Sequence, residues 1–243
     1  MSEPLPFPNK VLIAGATRGV GAQVARRLRQ LGIPSRALVR DPARAADLGD
    51  LEIIPGDAMR ADDCRTAAEG CDAVICTMGE RKVPKDRPPV DGDGIINLAD
   101  AALAAGARRF VLVSTLGAGE SWNWLPFFVK WYFQALRLRP ILAEKTRSDD
   151  HVRGLDLDWT ILWPGGLTNR PIRAAPLLTA DGRAGGTTSR QAVADVAVRC
   201  FASANAIRRT IIVVDPLMRF TLRGGGAFEL DAGWQPWADG GKR

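Results

Sequence analysis

The chain has 243 residues, 46% of them hydrophobic and 25% charged, an ordinary globular composition that excludes a fibrous or disordered protein and supplies one full core. The net charge of +6 suits an anionic partner. The arginines are scattered, however, and no dense basic run or nucleic-acid module is present, so the charge points to a phosphorylated small molecule and away from nucleic acid. Cys64, Cys71, Cys76 and Cys200 form no Cys-x-x-Cys pair and His151 is the single histidine. Reduced, buried thiols in a cytoplasmic protein without a metal site follow as the plain reading.

Met1 to Asn9 holds Pro4, Pro6 and Pro8 with no positive start leading into an apolar run, so a signal peptide is not expected. No segment reaches the length of a membrane-spanning helix. Lys10 to Ala14 reads as a short buried strand, followed by a turn with Gly15, Gly19 and Gly21 and then a helix. Val20, Val24, Leu28 and Leu31 recur at helical spacing, so periodicity supports that helix independently of the glycines. Such a strand–glycine turn–helix lets the backbone approach a pyrophosphate and aims the first helical N–H groups at it. Thr17, Arg18 and Val20 belong to the same candidate cradle.

Ser35–Val39 gives a second strand ending at Arg40-Asp41-Pro42, and Leu51–Ile54 a third ending at Gly56-Asp57. Ala73–Cys76 gives a fourth. Glu80 to Asp93 is rich in proline and charge and reads as an exposed loop. A helix follows with Ile95, Leu98, Ala99, Ala102 and Leu103 on one face, then a fifth strand at Phe110–Val113 ending at Ser114-Thr115. Leu157–Leu162 gives a sixth strand, closed by Trp163, Pro164, Gly165 and Gly166. A last helix starts near Arg190 and a last strand spans Ile211–Val214. The alternation predicts a doubly wound, mainly parallel α/β sheet, Rossmann-like, as a single domain over residues 1–222. An aromatic insertion occupies 121–139, and a tail with Trp234 and Trp237 occupies 223–243, either loosely packed or docked through its tryptophans.

Several stretches taken in order resemble the atypical short-chain dehydrogenase/reductases of the NmrA-like, NAD(P)-binding type, which include biliverdin/flavin reductase-like enzymes. They are Gly-Ala-Thr-Arg-Gly-Val-Gly at 15–21, Leu-Val-Arg-Asp-Pro at 38–42, Gly-Asp-Ala at 56–58 and Asp-Ala-Val-Ile at 72–75. Further on come Ala-Gly-Ala-Arg-Arg-Phe-Val-Leu-Val-Ser-Thr at 105–115 and Leu-Asp-Trp-Thr-Ile-Leu-Trp-Pro-Gly-Gly-Leu at 157–167. The resemblance covers most of the chain and is specific for fold and nucleotide binding, not for a substrate.

Charge at the end of the second strand bears on which cofactor is used: a carboxylate there suits a free ribose 2′-OH, an arginine a 2′-phosphate. Arg40 stands first and Arg18 lies in the glycine turn, so NADP(H) is expected, with two guanidiniums on one phosphate. Asp41 as the ribose ligand, giving NAD, is the alternative. The resemblance implies that Asp57 and Ala58 flank the adenine and that Thr77 and Gly79 pass beneath the ribose and pyrophosphate. Pro164 and Gly165 complete the candidate cofactor contacts.

The resemblance also implies a lysine on the helix before the sixth strand that binds the nicotinamide ribose, and Lys145 falls there. The wider superfamily places a proton-donating tyrosine four residues earlier, where this chain has Ile141. Tyr132 is the only tyrosine and cannot share a helix face with Lys145 at its spacing. Ser114 and Thr115 fall where the family's strand-five hydroxyl faces the nicotinamide. His151 reads as a surface bystander. The expected activity is an NADPH-dependent reduction of a small conjugated or aromatic substrate without the usual tyrosine. A non-redox NAD(P)-binding regulator, or a reductase fold turned to isomerisation or cyclisation, are the alternatives.

Ser121 to Phe133 gathers the only tyrosine and three of the seven tryptophans. Three readings compete: a helical lid and pocket wall, the face of a homodimer, or a membrane-surface helix over 122–139. The lid is the expected reading: residues 122–133 form a helix or helical loop over the nicotinamide end that turns Trp124, Phe128 and Trp131 or Tyr132 toward the substrate.

Overall fold

The computed structural model describes residues 3–49, 51–172, 174–180, 183–217, 219–223 and 227–233. Its elements run β1 (Val11–Ala14), α1 (Gly19–Gln30), β2 (Ser35–Val39), a 3₁₀ turn (Pro42–Leu48), β3 (Glu52–Pro55), α2 (Ala61–Ala68) and β4 (Ala73–Cys76). There follow α3 (Asp93–Ala104), β5 (Arg109–Val113), α4 (Ser121–Trp124), α5 (Phe127–Ala135), α6 (Arg139–Gly154), β6 (Asp158–Pro164) and β7 (Gly166–Thr168). The chain continues through β8 (Leu177–Thr179), β9 (Arg183–Ser189), α7 (Arg190–Phe201), β10 (Arg209–Val214) and β11 (Arg219–Arg223).

Among the described residues the main sheet has eight strands in the order β3-β2-β1-β4-β5-β6-β10-β8, parallel throughout except for β8 against β10. This is the expected doubly wound sheet. Strand order reverses between β1 and β4, where Ala14 sits opposite Cys76, and a crevice opens at such a switch point beyond the carboxyl ends of the strands. Every residue of β1, β4 and β5 is buried because helices cover both faces. Val20, Val24 and Leu28 of α1 pack with Val193, Val196 and Ala197 of α7 on one side. Cys64 of α2, Ile95 and Leu98 of α3 and Val152 of α6 close the other.

The small sheet β11-β9-β7 was not predicted. β7 is too short to show periodicity, and Ala184-Gly185-Gly186 in β9 lacks the branched residues that mark strands. Part of the tail is docked through side chains other than tryptophan. Phe228 and Leu230 join the α7-side core, Asp231 accepts from the Asn205 amide at 3.0 Å, and Arg199 donates to the Ala232 carbonyl at 2.8 Å. Trp234 and Trp237 lie outside the described residues.

All four cysteines are free and buried. Burial pushes the Cys64 and Cys76 thiols up to about 12 and Cys200 to about 11, which leaves them as packing groups rather than nucleophiles.

Candidate functional site

A cavity of about 830 Å³ opens at the tips of β1 to β4. Gly15 (φ +90°) and Gly19 (φ +62°) take backbone conformations that a side chain disfavours. A Cβ on Gly15 would come 2.7 Å from Thr77 Oγ1, and one on Gly21 would overlap the Gly15 carbonyl. The turn and the first helical turn are therefore pressed together, with backbone where side chains would otherwise stand. Arg18 makes no side-chain cap to α1, and the first turn holds no acidic residue, so the helix N-terminus is left to an incoming anion. Thr77 braces this cradle: its hydroxyl donates to the carbonyls of Ala14 at 3.1 Å and Gly15 at 3.2 Å.

Of the candidate cofactor residues, Gly15, Thr17, Arg18, Arg40, Asp57, Ala58, Thr77 and Gly79 line the cavity. Gly19, Val20 and Gly21 build the turn behind it, with Val20 in the core. Sequence reasoning missed Arg44, which also lines the cavity. Asp41 accepts from the Ala43 amide at 3.2 Å as the cap of the 3₁₀ turn and pairs with Arg44 Nε at 3.3 Å. That carboxylate is already engaged, and the mouth holds three guanidiniums. Asp57 is engaged in the same manner, accepting from the Met59 amide at 3.1 Å, while the Ala58 carbonyl takes a bond from Asn97 at 3.0 Å. Arg190, at the start of α7, would lie 3.8 Å from a Cβ at Gly19, but its guanidinium is bonded to Asn169 at 2.8 Å. A glycine-walled crevice with a bare helix N-terminus and three arginines fits a phosphorylated dinucleotide.

Beside Gly79 the cavity gives way to a buried ion pair. Lys145 Nζ lies 2.9 Å from Asp91 Oδ1, without the alignment of a hydrogen bond, and both side chains are enclosed. The other oxygen of Asp91 accepts from the Glu80 amide at 2.9 Å. The 80–93 loop is therefore not wholly exposed: its far end turns inward because Asp91 partners the lysine. Ile141 is buried where the tyrosine would stand. Pro164 and Gly165 are drawn into the sheets: the Pro164 carbonyl accepts from Leu116, and the Gly165 amide donates to Val213, both at 3.1 Å.

Ser114 and Thr115 have different surroundings. The buried Ser114 hydroxyl donates to Asp149 Oδ2 at 3.0 Å, and Trp163 Nε1 donates to the same oxygen at 2.9 Å. Thr115 remains half-buried, its hydroxyl donating to the Leu116 carbonyl at 3.3 Å. Asp149 lies one turn beyond Lys145 on the buried face of α6, a spacing that could have flagged it. Its Oδ1 has no partner among the described residues. Burial pushes its carboxyl above the ordinary value of 3.8, against the pull of Trp163, Ser114 and the Lys145 charge. A carboxyl that holds its proton more tightly when folded contributes stability below its unfolded pKa and loses it as pH rises through the folded one. Asp149→Asn should therefore flatten the fall in urea midpoint between acidic and neutral pH; an unchanged pH slope would contradict this.

The aromatic segment forms two helices rather than one. Leu125 takes an extended backbone and Pro126 starts α5, because proline cannot donate to the preceding turn and restricts the residue before it. Trp124 ends α4, stacked edge-on against Trp163 at 6.0 Å and with Arg183 over its ring at 5.2 Å. Phe128, Trp131 and Tyr132 are exposed on α5, and the small cavity that Trp124 lines with Leu116, Leu125, Pro126 and Arg183 does not include them. His151 pairs with Asp100 at 2.7 Å on the outer surface. Among the described residues no group of His, Cys, Asp and Glu is arranged to hold a metal ion, and no helix is long and apolar enough to cross a membrane.

The family model for NAD(P)H-binding proteins matches residues 15–204, more than half of the chain. The chain belongs to the NAD(P)H-binding family. Within that family it is 30% identical over 217 residues to an uncharacterized chloroplastic protein of Arabidopsis thaliana, spanning 84% of this chain and 76% of the relative. An uncharacterized sugar epimerase of Bacillus subtilis, YhfK, is 31% identical over 67% of this chain and 74% of its own. Among solved structures, ChuY from Escherichia coli O157:H7, described as an anaerobilin reductase, superposes with a TM-score of 0.73. It is 26% identical, over 85% of this chain and 97% of its own. The expected NmrA-like, short-chain dehydrogenase/reductase type agrees with these relatives.

Proposed function

We propose that the protein is an NADPH-dependent reductase of a small conjugated or aromatic substrate. The observation that carries the cofactor preference is Arg18 and Arg40 on one cavity in which Arg44 offsets the charge of Asp41. With that carboxylate offset, the guanidiniums of Arg18 and Arg40 tip the mouth toward a dianionic 2′-phosphate. The reductase name of ChuY supports the reaction class.

NADPH, when bound, supplies a hydride. Lys145, held by Asp91, orients the nicotinamide ribose. Ser114 acts by position, tying β5 to α6 through Asp149, and Thr115 is left as the hydroxyl for a proton that otherwise comes from solvent. Trp124 forms the apolar wall on the substrate side. The four buried thiols suit a reducing compartment, which we take as the cytoplasm. A second reading, a non-redox NAD(P)-binding regulator or an isomerising or cyclising enzyme, is favoured by the buried Ile141 in the tyrosine position.

Two measurements test the proposal. Purified protein with NADPH and a panel of quinones, flavins and enones should consume NADPH, followed by its near-ultraviolet absorbance. Binding of NADPH with no turnover on any acceptor would favour the second reading. In calorimetry Arg40→Ala should weaken NADPH about tenfold or more, the loss of a charge-assisted pair worth roughly 1.5–3 kcal/mol, and leave NADH nearly unchanged. Equal wild-type affinities for the two cofactors would return the role to Asp41.

A further inference from the structure

Helix α5 contains no buried residue, although five of its nine side chains are aromatic by sequence. Phe127, Phe128, Trp131 and Tyr132 are 84%, 52%, 68% and 55% exposed, and their spacing puts them on one helical face. Val129 and Phe133, on the opposite face, rest against the core together with Trp122. The helix is therefore anchored from below while its outer side presents a continuous aromatic surface, larger than scattered exposed residues create.

The charge within this segment is of one sign. From Ser121 to Ala143 the sequence contains Lys130, Arg137 and Arg139 and no aspartate or glutamate. Lys130 and Arg139 lie over the Trp122 ring at 5.8 Å and 4.4 Å, which fixes two of these charges at the margin of the aromatic face. Arg137 stands exposed at the end of the helix.

We infer that α5 seats the protein on an anionic lipid bilayer, the aromatic face entering the headgroup region and Lys130, Arg137 and Arg139 meeting the lipid phosphates. Tryptophan and tyrosine favour that boundary because each joins an apolar ring to a polar tip, and long basic side chains reach outward from it. A second copy of the chain fits less well. A two-fold contact across α5 would gather the basic side chains of both copies at one seam, with no acidic residue between Ser121 and Ala143 to offset them. The helix is too short to span a membrane, so the contact is peripheral and leaves the dinucleotide cavity, at the tips of other strands, open.

The test uses the full chain with vesicles of phosphatidylcholine alone or mixed with phosphatidylglycerol, read by co-sedimentation and tryptophan emission. Binding with a blue-shifted emission is expected on the mixed vesicles and not on the neutral ones, weakening as salt rises. Lys130→Gln with Arg137→Gln should lower partitioning roughly thirtyfold, from the loss of two basic charges near the surface. Phe128→Ser with Trp131→Ser should abolish both binding and shift while circular dichroism stays unchanged, since both side chains are outward. Three outcomes would overturn the inference: no pelleting with either vesicle, equal binding to both, or lipid-free self-association that Phe128→Ser with Trp131→Ser removes. The last would assign the face to a second copy.

Discussion

Gly21→Ala should weaken dinucleotide binding sharply and destabilise the domain. The added methyl would overlap the Gly15 carbonyl and stand 2.5 Å from Thr77 Oγ1. Neither neighbour can yield freely: the first is backbone of the turn itself, and the second is held by two carbonyls. Relief requires α1 to move away from the β1–β4 crevice, which carries its N-terminal N–H groups away from any bound phosphate. Overpacking of a tight contact costs about 1–3 kcal/mol. Displacement of the anion site should lower NADPH affinity by about a hundredfold or more, corresponding to roughly 2.7 kcal/mol. Calorimetry and thermal melts check this. Gly154→Ala provides the control, because nothing lies within 4 Å of a Cβ there and alanine is the better helix residue. Equal binding by the Gly21→Ala protein and wild type would show that the turn does not hold the cofactor.

Lys145→Met should cost both stability and turnover, and the two losses can be separated. Removing the ammonium leaves Asp91 enclosed without the cation 2.9 Å away. Breaking one side of a buried pair typically costs about 3–5 kcal/mol, because the remaining charge is stranded. Adding Asp91→Asn neutralises that charge, so the double variant should regain most of the melting temperature. It should not regain NADPH oxidation, since the ammonium proposed to orient the ribose is still absent. A double variant that recovered turnover along with stability would reduce Lys145 to a structural partner of Asp91. A single variant with unchanged melting and rate would remove it from the site altogether.

The alternation of short apolar runs with helical periodicity sufficed for the parallel sheet, because strands covered on both faces must be apolar throughout and helices that cover them on one side must be amphipathic. The glycine cradle was equally legible: close approach of backbone to backbone excludes every side chain, and Gly15, Gly19 and Gly21 record that exclusion directly. The place of Arg18 and Arg40 on the cavity was legible because they sit within or directly after local elements.

Tertiary structure alone decided what partners over long sequence distances do. Asp91 lies in a stretch whose composition marks an exposed loop, and only folding carries it inward to Lys145. Arg44 joins Arg18 and Arg40 at the cavity mouth, where Asp41 is capped and paired, through a 3₁₀ turn that has no strong periodicity. Ser114 and Thr115 are adjacent in sequence, yet one is buried against Asp149 and the other stays half-buried on the Leu116 carbonyl. The aromatic stretch had the spacing of a single helix face, but Pro126 divided it, so Trp124 was packed inward and Phe128, Trp131 and Tyr132 were turned to solvent. Periodicity records which side of an element is apolar. Whether that side meets the core, a ligand or another surface depends on contacts between distant parts of the chain, which local sequence does not encode.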